Sequence, residues 1–83
     1  MADNNTIEIR IPNQGLTVTE VVIAKWHKKA GDTLQKGEVL LDIESDKAVI
    51  EMEASHAGTL DKIIAEEGET VAIGGIVGII TIA

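Results

Sequence analysis

The sequence predicts an all-β fold, a small sandwich or flattened barrel made of two similar halves. Two observations support this prediction: a repeat within the chain, and short alternating apolar and polar stretches separated by glycine turns. In addition, no segment of about 11 or more residues keeps a helical period. The segment AKWHKKAG comes nearest to one, but it is short and ends at Gly31.

The repeat aligns residues 23–43 with residues 60–80 without a gap. Gly31 and Gly68, and likewise Gly37 and Gly74, are 37 positions apart. Each copy reads as a strand, two glycine turns and a second strand, and glycine suits such turns because it adopts positive φ without steric cost. Apolar positions of the last strand match too: Val39, Leu40 and Ile43 with Ile76, Val77 and Ile80.

One further strand precedes the repeat. Ile7, Ile9 and Ile11 alternate with polar residues, a period of two that is typical of a strand with one buried face. Pro12 and Gly15 then interrupt the pattern and predict a loop over NQGLTV. We expect a single domain over residues 1–83, ordered from about residue 6 to about residue 82.

Composition and charge exclude several classes of function. The formal charge of −7 argues against a nucleic-acid partner and favours basic partner surfaces, although an acidic surface that only maintains solubility explains it equally well. Trp26 is the only aromatic residue, so the core must be aliphatic. No cysteine is present, so any sulfur chemistry must come from an attached group. His27 and His56 lack metal-ligand spacing, and no metal site is predicted.

The chain also shows no signal for a membrane. No apolar run approaches the roughly 20 residues that span a bilayer. The N-terminal MADNNT lacks the basic residues of a secretory signal. We therefore expect no membrane partner, and a location in the bacterial cytoplasm or, in a eukaryote, in the mitochondrial matrix.

The segment ESDKA, residues 44–48, lies between the two copies and joins the predicted strands VLLDI and VIEME. Lys47 is 10 residues after Gly37 and 11 before Gly58, so it is nearly centred between the copies. We predict a hairpin with Lys47 exposed at its outermost point. Such a lysine either solvates the turn or is presented to a partner.

These stretches resemble the lipoyl domain of the dihydrolipoyl acyltransferases of 2-oxo acid dehydrogenase complexes, from Ile7 to about Ile82. The matching segments are IRIP, TVTE, WHKKAGDTLQKGEVLLDIESDKAVIEMEA and GTLDKIIAEEGETVAIGGIVGII. The most specific element is Glu44-x-Asp46-Lys47-Ala48 between the two repeats. The resemblance implies two four-stranded antiparallel sheets, and lipoic acid joined to Lys47 as an amide by a lipoate protein ligase or lipoyl transferase.

The resemblance also implies partners and a carrier that catalyses nothing itself. The lipoyl group would be a swinging arm, which a thiamine-dependent decarboxylase acylates. An acyltransferase core would pass the acyl group to coenzyme A, and a flavin-dependent dihydrolipoyl dehydrogenase would reoxidise the dithiol. Recognition by the ligase and these partners would involve Glu44, Asp46, Ala48, Gly15, Thr19 and Glu20.

Three positions depart from the family pattern. Asn13 and Gln14 stand where an acidic residue and a methionine usually precede the glycine, and Val21 stands where a glycine usually follows Glu20. In the family this loop helps the decarboxylase to recognise its carrier. The departures leave open which complex the domain serves, and the chain is either an excised domain or a stand-alone carrier.

Other carriers of this fold are the nearest alternatives. A biotinyl carrier domain shares the protruding lysine, but that lysine usually lies between methionines, whereas Lys47 lies between Asp46 and Ala48. The glycine-cleavage carrier is usually longer. Unmodified domains of the same fold generally lack a tip lysine in an acidic frame. Glu44 and Asp46 themselves are also explained as solvated turn residues.

An enzyme is the alternative from a different class, with Glu51 and Glu53 as its candidate acid and base. The two glutamates are two positions apart on a predicted strand, so both point outward while Ile50 and Met52 point inward. A pair on a solvated face has no cleft to raise one pKa, which general acid–base catalysis needs near neutral pH.

Overall fold

The computed structural model describes residues 5–13, 19–46 and 48–82. Over these residues the chain forms eight strands and no helix: β1 (Thr6–Arg10), β2 (Glu20–Trp26), β3 (Thr33–Leu34), β4 (Val39–Glu44), β5 (Val49–Glu53), β6 (Gly58–Ile63), β7 (Thr70–Ala72) and β8 (Ile76–Ile82). They form two four-stranded antiparallel sheets, ordered β1-β8-β6-β3 and β5-β4-β2-β7. The predicted fold is confirmed. In the described part of the chain, no helix has the length and hydropathy that a membrane crossing requires.

The two copies of the sequence repeat adopt the same structure. The pairing of β2 with β4 shifts register between Ile23 and Lys25, and that of β6 with β8 shifts between Leu60 and Lys62, 37 positions later. Strands β4 and β8 show the same order of buried and half-buried positions over their first five residues. The turn glycines match as well, with φ of 98° at Gly31 and 90° at Gly68. The predicted two-fold internal repeat is therefore confirmed.

Hydrogen bonds cross between the two halves. The N–H of Gly31 donates to the carbonyl of Leu60 at 2.7 Å, and the N–H of Gly68 donates to the carbonyl of Ile23 at 2.8 Å. The short middle strands are exchanged in the same way, because β3 pairs with β6 of the second copy and β7 pairs with β2 of the first. Neither copy completes a four-stranded sheet alone.

The core between the sheets is aliphatic, as predicted. Trp26 is half-buried, packs against this core, and donates from Nε1 to the carbonyl of Ala65 at 2.8 Å. Each fully buried aliphatic side chain stabilises the fold by about 1.5–3 kcal/mol. The largest fully buried side chains are Ile11, Ile23, Leu34, Leu40, Leu41, Ile43, Leu60, Ile80, Val21 and Val77.

Strand β5 has one buried face and one exposed face. Met52 is buried and Ile50 half-buried, whereas Glu51 and Glu53 are exposed. The alternation predicted from the sequence is confirmed, and the two exposed glutamates border an open groove of about 550 Å³.

Candidate functional site

The hairpin of β4 and β5 ends in a short turn. Its strands pair as far as Glu44 opposite Val49. Beyond that pair, the N–H of Ser45 donates to the carbonyl of Ala48 at 2.8 Å, and the Ser45 hydroxyl donates to the same carbonyl at 3.3 Å. Two chain positions, 46 and 47, therefore connect the closing residues of the hairpin.

The residues that flank this connection are on the surface. Glu44, Asp46 and Ala48 are all exposed, and Ser45 is half-buried. Lys47 and Gly15 lie outside the described residues, so the predictions for these two residues stay predictions.

Four of the six predicted recognition residues line one open groove beside the turn, with a volume of about 640 Å³. Thr19 and Glu20 border it at the start of β2, and Glu44 and Asp46 border it at the end of the hairpin. Ala48 is not part of its lining. The groove forms because β2 lies between β4 and β7, so that these elements meet at one end of the sheet.

The groove is negatively charged. Its described lining contains the carboxylates of Glu20, Glu44 and Asp46 and no lysine, arginine or histidine. Clefts lined by one sign of charge concentrate the field and attract groups of the opposite sign. This end of the sheet therefore favours contact with basic side chains.

Sequence reasoning missed Val22, Ser45 and Thr70, which complete the groove together with buried Val21. Val22 lies between buried Val21 and buried Ile23, so the period of two would have placed its side chain outward. Its proximity to Thr70 depends on the pairing of β2 with β7. That register has no signal in the local sequence.

The two histidines lie apart from the groove, and His27 has a partner that the sequence did not reveal. Its Nε2 lies 3.1 Å from Oδ1 of Asp42. The contact has ion-pair distance but not hydrogen-bond geometry, and this Oδ1 is buried without a hydrogen-bond partner within the described ranges. His56 contacts the hydroxyl of Ser55 through Nδ1 at 2.9 Å. Among the described residues, no cluster of three or more His, Cys, Asp or Glu could hold a metal ion.

Comparison with known proteins gives concordant results. The model of the biotin/lipoyl family, described as biotin-requiring enzyme, matches residues 7–80. The chain is 47% identical over 73 residues to the dihydrolipoyllysine-residue succinyltransferase component of the 2-oxoglutarate dehydrogenase complex of Rickettsia typhi. That match covers 88% of this chain and 18% of the relative, so the chain spans less than a fifth of its length.

Two solved structures are similar over nearly their whole length. The lipoyl domain of the 2-oxoglutarate dehydrogenase complex from Azotobacter vinelandii has a TM-score of 0.76 and 36% identity, covering 90% of this chain and 95% of that domain. The lipoyl domain from the dihydrolipoyl succinyltransferase component of the corresponding Escherichia coli complex has a TM-score of 0.76 and 38% identity, covering 94% and 98%. By fold and by sequence, the chain belongs to the lipoyl domain family.

Proposed function

We propose that this lipoyl domain carries lipoic acid as an amide on Lys47 and serves as the swinging-arm carrier of a 2-oxo acid dehydrogenase complex. The observation that supports the proposal most is the exposed frame of Glu44, Asp46 and Ala48 on a two-residue hairpin connection. A biotinyl carrier is the less favoured alternative, because the relatives above are lipoyl domains and because no methionine flanks Lys47.

The chemistry of attachment asks little of the domain beyond access. The neutral amine of Lys47 attacks the activated carbonyl of the lipoyl donor. The amide bond forms as the bond between that carbonyl and its activating group breaks, the activating group leaves, and the nitrogen loses a proton. An ordinary lysine, with a pKa of about 10.4, is almost fully protonated at pH 7, so the ligase supplies the base. The tight connection between Ser45 and Ala48 keeps the attachment point at the end of the two strands, where a ligase can surround it.

The function of the loaded domain is to present one group to several enzymes. When bound, lipoic acid supplies a disulfide that takes up an acyl group and two electrons from a thiamine-dependent decarboxylase. The acyl group goes on to coenzyme A at an acyltransferase core, and the electrons go to a flavin-dependent dihydrolipoyl dehydrogenase. The domain contributes a rigid base and no catalytic group, since its candidate acid and base, Glu51 and Glu53, lie exposed on β5.

The similarity also supports a particular complex. We extend the proposal to a carrier within the succinyltransferase subunit of a 2-oxoglutarate dehydrogenase complex. The Rickettsia typhi and Escherichia coli relatives belong to that subunit, and the Azotobacter vinelandii domain belongs to the same complex. The acyl group would then be succinyl.

The intact mass of the domain tests the attachment. The domain is incubated with lipoate, ATP and a lipoate protein ligase, beside the Lys47→Arg variant and a parallel reaction with biotin and a biotin ligase. We expect one lipoyl addition on the wild type and none on the variant. Addition of biotin would instead move the domain to the biotinyl carriers. A folded wild-type domain that neither ligase modifies would refute the carrier function.

A further inference from the structure

Two donors of a single residue hold the turn of the β4–β5 hairpin. The N–H and the hydroxyl of Ser45 both donate to the carbonyl of Ala48, at 2.8 and 3.3 Å. Ser45 is half-buried, whereas the other described residues of ESDKA are exposed. The Ser45 side chain therefore contacts the backbone of the turn, while its described neighbours face solvent.

The connection that Ser45 closes lacks the residue that two-residue turns favour. Such turns usually hold glycine at one of their two positions, because one or both positions adopt positive φ. Positions 46 and 47 hold aspartate and lysine, and φ at Asp46 is not positive. Other turns among the described residues do have glycine at positive φ, at Gly31, Gly37, Gly68 and Gly74. The connection therefore has a weaker intrinsic preference for one backbone conformation.

The proposed function accounts for this missing glycine. The position that carries the acceptor amine must be lysine, so glycine is not available there. Departures from local sequence preference occur at functional sites and are compensated elsewhere in the structure. The second donor of Ser45, which lies outside the two connecting positions, is such a compensation.

The opposite end of the domain shows that a strand pair closes without the hydroxyl. Ile82, at the end of β8, is the counterpart of Ser45, 37 positions later. Its N–H donates to the carbonyl of Asn5, next to β1, at 2.6 Å, as the N–H of Ser45 donates to that of Ala48. Isoleucine has no hydroxyl, yet β8 and β1 pair as far as this bond. The Ser45 hydroxyl is therefore additional to what strand pairing requires.

We propose that Ser45 is a positioning residue for lipoylation, whose hydroxyl holds the connection in the conformation from which the Lys47 amine enters the active site of the ligase. The inference rests on the proposed function. One lysine side chain separates the amine from the turn, so restricting the turn restricts where the amine lies. A ligase that binds one conformation binds less tightly when that conformation is less populated. Loss of the hydroxyl therefore raises KM for the domain and leaves kcat unchanged.

Serine is also common in turns for a purely structural reason, because its hydroxyl satisfies nearby backbone groups. In that role the contact would stabilise the hairpin without affecting lipoylation. Ser45→Ala removes the hydroxyl. Ser45→Thr and Ser45→Val are nearly isosteric with each other, and only the first keeps a hydroxyl. Ser55, the only other serine, contacts His56 between β5 and β6, so Ser55→Ala is the matched control.

The experiment follows lipoylation of the 83-residue chain by a lipoate protein ligase, with lipoate and ATP, at increasing concentrations of the domain. Circular dichroism establishes that each variant is folded, and intact mass at early times gives the rate. Hydrogen exchange followed by NMR measures the opening of the backbone amide at position 45. The amide of Ile82, which makes the corresponding bond at the other end, is the internal reference.

We expect Ser45→Ala to raise KM for the domain about fivefold at nearly constant kcat, as the loss of one neutral hydrogen bond does. Ser45→Val should resemble it, and Ser45→Thr should restore most of the wild-type KM. The amide at position 45 should exchange faster in the alanine and valine variants, while that of Ile82 stays unchanged. Ser55→Ala should match the wild type.

Several results would overturn the role of Ser45. An unchanged KM in Ser45→Ala would do so, and faster exchange at position 45 without a change in KM would assign the hydroxyl to stability alone. Equal impairment of the threonine and valine variants would attribute the effect to side-chain shape. An equal rise in KM in Ser55→Ala would show that the effect is not specific to this turn. A folded wild-type domain that the ligase does not modify would instead refute the proposed function itself.

Discussion

The two halves of the domain share one backbone but differ in their surfaces. Register shifts, turn glycines and crossed hydrogen bonds recur 37 positions apart. Many surface residues do not recur: exposed Glu44 at the end of β4 has half-buried Thr81 as its counterpart, and Lys29 has Glu66. The backbone and its aliphatic core are thus sufficient for the fold. The proposed function depends on surface residues by which the first half differs from the second.

The core contains one instructive asymmetry as well. Trp26 pairs with Leu41 in one sheet, and the equivalent pair in the other sheet is Ile63 and Gly78. A Cβ at Gly78 would lie 3.4 Å from Cη2 of Trp26, so the indole reaches across to the opposite half. A large ring in one half is matched by a missing side chain in the other, as close packing requires.

The strongest test of the comparison is Gly58, whose counterpart in the first half is the buried Val21. A Cβ at Gly58 would lie 2.1 Å from the carbonyl oxygen of Thr81 on β8, and this backbone atom cannot move without disturbing the sheet. We expect Gly58→Ala to cost about 4 kcal/mol or to prevent folding, in the range of exceptional single substitutions. Urea unfolding followed by circular dichroism measures it. A cost below about 1 kcal/mol would show that β6 and β8 tolerate separation.

A subtler test compares Gly31→Ala with Gly68→Ala. Both glycines have positive φ, and a Cβ added at either position would have open space for 4 Å around it, so the cost is backbone strain alone. We expect about 1–2 kcal/mol for each, equal within about 0.5 kcal/mol. Urea unfolding of the two variants side by side provides the measurement. Clearly unequal losses would break the equivalence of the halves.

The core asymmetry is tested by Trp26→Phe. Phenylalanine keeps an aromatic ring but removes the Nε1–H that bonds to the carbonyl of Ala65. We expect a loss of about 1–2 kcal/mol, from the hydrogen bond and the smaller ring. The counterpart Ile63→Val, with an expected cost of about 0.5–1.5 kcal/mol, is the control. Since Trp26 is the only tryptophan, circular dichroism replaces fluorescence as the probe.

The smallest expected effect concerns Glu38, whose counterpart is Gly75. A hydrogen bond from Lys28 Nζ at 3.0 Å, together with one from the N–H of Gln35, lowers the pKa of the exposed Glu38 carboxyl. A lowered folded-state pKa means that this stabilisation is present above the ordinary glutamate pKa, about 4.3, and is lost as pH falls through the folded value. We expect Glu38→Gln to reduce the loss of stability on acidification slightly.

Urea midpoints from pH 7 to about pH 3 compare Glu38→Gln with the wild type. Glu66→Gln, an exposed glutamate in the acidic turn of the second half, serves as the control. Identical pH profiles for Glu38→Gln and wild type would mean that solvent screens the Lys28 contact completely.

Much of this fold was predictable because its signals are local. Each turn glycine indicates a turn at its own position, and the alternation of Ile7, Ile9 and Ile11 indicates a strand over those few residues. The aliphatic composition indicates the kind of core. The exchange of β3 and β7 between the sheets was not predictable, nor was the approach of His27 to Asp42. Both depend on pairing between strands distant in sequence, which local propensity does not encode.

The candidate site likewise has one part that the local sequence indicates and one part that depends on strand pairing. The acidic frame around Lys47 is contiguous in sequence, and its described residues Glu44, Asp46 and Ala48 are exposed. The groove that adds Thr19 and Glu20 to that frame arises from the β2–β4 pairing. The register of the strands therefore determines which side chains lie together in the groove.

The hydrogen bonds that cross between the halves also determine the mechanics of the carrier. Strand β4, which leads to the turn, is an inner strand, and its neighbour β2 is bonded to the second half through both β7 and Gly68. Strand β4 cannot swing away without breaking its pairing with β2, which is itself bonded to the second half, so its supports belong to one cooperative unit. A group attached at Lys47 therefore pivots on a fixed base. The attached group can reach only as far as the combined length of the lysine side chain and the attachment. To cover a longer distance, the entire domain must move.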